Sequence, residues 1–119
     1  SYGVTSDIFK CQDCNFLQCH NMPDVGKFYE DMTDKSYVET STQRSIQMIR
    51  ILKNLMAYKS KGSLLDIGAG SGLLVEEGLK LVFDSEGIEP SQWLCDLARK
   101  KKLNVHLGVL PHKDLKKEY

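Results

Sequence analysis

Residues Leu64 to Leu74 read LLDIGAGSGLL, with Gly68, Gly70 and Gly72 set between two apolar runs. Glycine inside an ordered element costs about 0.5–1 kcal/mol relative to alanine, because its backbone loses the most freedom on folding. Such a cluster marks left-handed backbone that a Cβ forbids, or a place where something approaches the main chain closely. The flanks narrow the choice. Ser63 to Ile67 is a short apolar run suited to a buried parallel strand, and Ser71 to Leu81 has helical spacing through Leu74, Val75, Leu79 and Leu81. The glycines therefore occupy a strand-to-helix turn.

The alternation continues. Phe83 to Glu89 reads as a second strand, and Pro90-Ser91 supplies a stop and an N-cap. Trp93, Leu94, Leu97 and Ala98 share a helical face that runs into the cations Arg99 to Lys102, which suit the helix dipole. Asn104 turns the chain and Val105 to Gly108 form a third strand. Strand, helix, strand, helix, strand predicts an α/β fold: a Rossmann-like parallel sheet with flanking helices. Upstream, Ile46, Ile49, Leu52, Leu55 and Met56 recur at helical intervals over about Ser41 to Tyr58, and Thr40 and Gln43 have the spacing of a capping box. Val25 to Tyr37 is acidic and aromatic without a clear period, a loop or a broken helix. The chain divides into a cysteine-containing segment (1–24), a helical region (25–60) and the α/β part (61–119).

Composition excludes some partners. Sixteen Lys and Arg balance sixteen Asp and Glu over 119 residues, so no general attraction to nucleic acid or anionic lipid is expected. No apolar run approaches the roughly 18–20 residues of a membrane span, and SYGVTSDIFK lacks the features of a signal peptide. A soluble, cytoplasmic protein is expected.

The turn lies past the carboxyl end of the first strand, where open α/β sheets bind ligands and a helix N-terminus presents amide groups. Glu89 ends the second strand about 20 residues on, placed to accept hydrogen bonds from a ribose diol. An adenosine-type ligand follows. The spacing is G-x-G-x-G, with Leu73 where the dinucleotide fingerprint has its last glycine. Asp66, two residues before Gly68, would repel a pyrophosphate but suits a cationic amine or sulfonium. These features weigh against an NAD-dependent oxidoreductase, which stays as an alternative beside a non-catalytic zinc-dependent binding module.

DIGAGSG followed by GIEPS resembles the first two motifs of class I S-adenosylmethionine-dependent methyltransferases over about Leu64 to Gly108. The resemblance implies that Asp66 and the backbone of Gly68, Ala69 and Gly70 border the methionine part of the cofactor, with Gly72 completing the motif. It implies Glu89 on the ribose, Pro90 near the adenine, and Val109 and Leu110 at the adenine edge. The family's sheet has seven strands, so the chain is expected to hold an incomplete half of it and to begin and end within a larger protein. The implied activity is methyl transfer to a small-molecule acceptor such as a sugar nucleotide. No catalytic residue is assigned, and self-association through the uncovered sheet edge is expected.

FKCQDCNFLQCHNMPD is similar to the second half of a zinc ribbon that precedes the methyltransferase domain in some bacterial enzymes. Cys11 and Cys14 match its cysteines, Pro23 falls in step, and Asn15 stands where the ribbon has glycine. Zinc needs four ligands and this pair offers two; the alternative is two thiols on a loop. Cys95 is expected to be a small core residue, and His20, His106 and His112 to be structural or at the surface. Tyr29 and Tyr37 are read as packing residues, or as part of a lid.

Overall fold

The computed structural model describes residues 7–19, 26–33, 35–115 and 118–119. The first elements are an antiparallel hairpin of β1 (Ile8–Lys10) and β2 (Leu17–Cys19), followed by short helices α1 (Gly26–Glu30) and α2 (Lys35–Glu39). Then come α3 (Ser41–Met56), β3 (Gly62–Ile67), α4 (Leu73–Lys80), β4 (Phe83–Glu89), α5 (Gln92–Lys100) and β5 (Val105–Leu107). The last three strands form one parallel sheet in the order β3-β4-β5.

Register divides this sheet into two unlike faces. Asp66, Gly87 and Val105 are aligned across the strands, and so are Ile67, Ile88 and His106. Successive residues point to opposite sides of a strand, so the two rows face apart. On the Gly87 side a Cβ would meet Ala69 Cβ at 2.5 Å and Val75 Cγ2 at 3.1 Å. The core of Ala69, Val75, Cys95, Ala98, Leu103 and Val105 lies there, under α4 and α5. Helix α3 packs on α4 and fully buries Leu52. Burial of a leucine or isoleucine of this size is worth about 1.5–3 kcal/mol. On the other face Ile67 is 64% exposed.

Several sequence expectations change in detail. Thr40 is not a capping-box residue: its backbone angles are nearly helical, and its hydroxyl donates to the Ser36 and Tyr37 carbonyls. Helix α2 runs almost directly into α3, so the Thr40 side chain is taken by the turn behind it. Ile46 is half exposed, whereas Ile49, Leu52, Leu55 and Met56 turn inward as expected, joined by Arg44 and Met48. Helix α4 begins two residues later than the spacing suggests, because Gly72 is left-handed at its N-cap. The uncertain stretch before α3 is a broken helix, α1 and α2. Cys95 is fully buried, as expected. His20, Pro23 and Val25 lie outside the described residues.

Candidate cofactor site

The carboxyl ends of β3, β4 and β5 open onto a cavity of about 620 Å³, within the usual range of small-ligand sites. Gly68 and Gly70 line it from the first turn, Glu89, Pro90 and Leu94 from the second, and Gly108, Val109 and Leu110 from the third. The N-terminal helical region closes it with Tyr29, Met32, Tyr37 and Arg44. Asp66, Ala69 and Gly72 are not among the lining residues.

The three glycines of the turn serve three purposes. All have left-handed φ, at 79°, 55° and 78° for Gly68, Gly70 and Gly72. A Cβ at Gly68 would meet nothing within 4 Å, so this glycine leaves open space beside the backbone. At Gly70 the Cβ position is taken by the Tyr37 hydroxyl. At Gly72 a Cβ would strike Leu103 Cδ1 at 2.8 Å and press on Ala98 and Val105, so this glycine serves the packing of α4 on α5 and β5. Ala69 is likewise core, with its methyl against Gly87.

Four amides of the turn, all ahead of the first residue of α4, are committed within the protein. Gly68 and Ala69 N–H both donate to the Ile88 carbonyl, at 2.9 and 3.0 Å, and Gly72 N–H donates to Ala69 at 2.9 Å. Gly70 N–H donates to Glu89 Oε2 at 2.7 Å. The other oxygen of Glu89, Oε1, accepts the Ser91 N–H at 2.9 Å. Glu89 is 4% exposed and ties the glycine turn to the start of α5. Each carboxylate oxygen has two acceptor positions, so one per oxygen remains for a ligand hydroxyl.

The cavity lining carries one acid, Glu89, and one base, Arg44, and Asp66 lies close enough to Glu89 to feel its charge. Asp66 is half-buried, and that burial, then the Glu89 charge, raises its carboxyl above the ordinary value of 3.8. Arg44 lines the cavity from α3. Its guanidinium lies 3.5 Å from the centroid of the Tyr37 ring, and its buried Nη1 has no hydrogen-bond partner among the described residues. A desolvated guanidinium N–H without an acceptor costs more than a neutral one. Sequence reasoning passed over Arg44; its placement four residues before Met48 and eight before Leu52 was the available signal.

Cys11, Cys14 and Cys19 lie apart, on the hairpin. Cys11 and Cys14 bracket a tight turn in which Asn15 N–H donates to the Cys11 carbonyl at 3.0 Å and Cys11 N–H to the Phe16 carbonyl at 2.8 Å. Asn15 takes a left-handed φ of 60° at the position where the ribbon has glycine. Hydrogen bonds from the Cys14 and Asp13 backbone, and then from the Cys14 thiol, lower the Cys11 thiol below its ordinary value of 9.0.

No family model and no curated protein matches the chain. Among solved structures it is similar to a protein of Methanococcus maripaludis provisionally named an S-adenosyl-L-methionine-dependent methyltransferase. The TM-score is 0.59 at 18% identity, over 86% of this chain and 50% of the other. The likeness establishes the fold, the Rossmann-like α/β arrangement of that methyltransferase, and this chain spans half the length of that structure. No helix among the described residues is long and apolar enough to cross a membrane.

Proposed function

We propose that the cavity binds S-adenosylmethionine, and that the protein serves methyl transfer to a small-molecule acceptor, a sugar nucleotide being the class its sequence resemblance suggests. The observation that carries this reading is the buried Glu89 carboxylate bonded into the glycine turn. A pyrophosphate is held by open N–H groups at a helix N-terminus. Here the turn that leads into α4 has the amides of Gly68, Ala69, Gly70 and Gly72 bonded internally, and Glu89 stands among them. An anion is disfavoured on both counts, whereas a cationic amino-acid nucleoside is not.

The residues fit such a ligand. Glu89 keeps acceptor positions for a ribose diol, Asp66 supplies negative charge for an ammonium or sulfonium, and Gly68 lets the ligand lie against bare backbone. Pro90, Val109 and Leu110 offer apolar surface for a base. Arg44 supplies the cation that an amino-acid carboxylate requires, and a guanidinium can bind one through two parallel hydrogen bonds. When bound, the cofactor supplies an electrophilic methyl group; the protein's share is alignment and exclusion of water.

Calorimetric titration with S-adenosylhomocysteine and NADH in parallel tests the reading. Binding of the first alone is expected, weakened about tenfold or more in Arg44→Met, on the scale of one hydrogen bond to a charged group. A preference for NADH, or binding of neither, overturns it. The paired thiols of the hairpin suit half of a zinc site, with Cys11 and Cys14 as two of four ligands. Metal analysis of the wild type against Cys11→Ser is expected to show one equivalent of zinc fewer in the variant.

A further inference from the structure

We propose that His106, His112 and Asp114 form a binding site for a divalent transition-metal ion of borderline softness, such as Zn²⁺, Co²⁺ or Ni²⁺, separate from both the cofactor cavity and the thiol hairpin. One ligand atom from each of the three lies within 4.8 Å of the other two. Together they line a second cavity, of about 390 Å³, beside the end of β5. Imidazole and carboxylate donors match these metals.

What raises the cluster above a chance grouping is how the rings are held. His106 Nε2 lies 2.9 Å from Glu86 Oε2, and that carboxylate is buried, its side chain 5% exposed. Asn104 Nδ2 donates to the same oxygen at 3.0 Å, and Tyr119 Oη donates to Oε1 at 2.7 Å. His112 Nε2 lies 3.1 Å from the Leu107 carbonyl. A carbonyl and a carboxylate accept only, so both rings carry their proton on Nε2 and present the Nδ1 lone pair. Fixing the tautomer through a carboxylate or carbonyl on the far nitrogen is the usual support of a metal-binding histidine.

The rest of the geometry asks for small movements. Metal–nitrogen bonds of about 2.0–2.1 Å place tetrahedral ligands roughly 3.4 Å apart. His112 Nδ1 is 3.9 Å from Asp114 Oδ2, and the His106 and His112 ring centroids are 5.4 Å apart. Asp114 is 53% exposed, so its rotation closes the set, displacing the long 3.3 Å contact between its own N–H and His112 Nδ1. Three protein ligands leave a fourth position for water or another donor. Arg99 also borders the cavity, but its guanidinium is engaged by Asp96 at 3.3 Å.

Zinc titration of a Cys11→Ser/Cys14→Ser/Cys19→Ser background separates this site from the thiols. One equivalent bound is expected. His112→Asn and Asp114→Asn each abolish that uptake with the metal-free melting temperature unchanged, and Glu86→Gln weakens it by about 10–100-fold. Long-range ¹H–¹⁵N spectra of the metal-free protein are expected to show both imidazoles protonated on Nε2. The proposal is overturned by no uptake in the background, by uptake undiminished in His112→Asn and Asp114→Asn, or by a proton on Nδ1 of either ring.

Discussion

Gly68 and Gly72 share a left-handed backbone but not a neighbourhood, and this predicts opposite consequences for the same substitution. Left-handed φ costs an L-residue about 1–2 kcal/mol wherever it occurs. Gly72→Ala adds a collision with Leu103 at 2.8 Å, so it should lower the melting temperature more than Gly68→Ala. The order reverses for S-adenosylhomocysteine affinity, because only Gly68 faces open space; thermal melts and calorimetry of the two variants check both. Asp66 makes a prediction in pH. Its folded pKa is raised above 3.8, so the folded state binds more protons than the unfolded one and stability falls as pH rises through that window. Above it the cost is fully present. Asp66→Asn should therefore raise the melting temperature at neutral pH, with a gain that shrinks toward pH 3.8, while weakening ligand binding at pH 7.

The Ser91 cap belongs to the next scale. Its hydroxyl accepts the Leu94 N–H at 3.3 Å and donates to the Met32 carbonyl at 3.0 Å, so one side chain both begins α5 and fastens the segment after α1. Ser91→Ala should cost about 1 kcal/mol for the cap and make residues 26–33 more sensitive to limited proteolysis. The cap and strand β4 were legible because their signals are local: Pro90-Ser91 before an amphipathic run, and a strand that Pro90 ends. Thr40 misled because its capping pattern ignores what precedes it, and α2 ends there. The separate roles of the three glycines were hidden too, since nothing in G-x-G-x-G says which glycine meets a ligand and which meets Leu103. Arg44 was missed because a periodicity of apolar residues scores an arginine as surface. The turn's amides could not be assigned from sequence, because their acceptors, Ile88 and Glu89, come from the neighbouring strand.

For the molecule as a whole, the one-sided sheet matters most. Helices α4 and α5 cover the Gly87 face, whereas β3 has no second strand beside it among the described residues. An unpaired edge next to the exposed Ile67 invites association of copies. Sedimentation of the 119-residue chain should show concentration-dependent self-association, reduced by Leu65→Lys; a monomer at all concentrations would count against this. The order of the sheet has a further consequence. Because β3, β4 and β5 lie side by side in the order of synthesis, each strand finds its neighbour already made, one helix earlier in the chain. Such short-range closure favours fast, vectorial assembly, and pulse-labelled amide exchange during refolding should find β4 protected no later than β5.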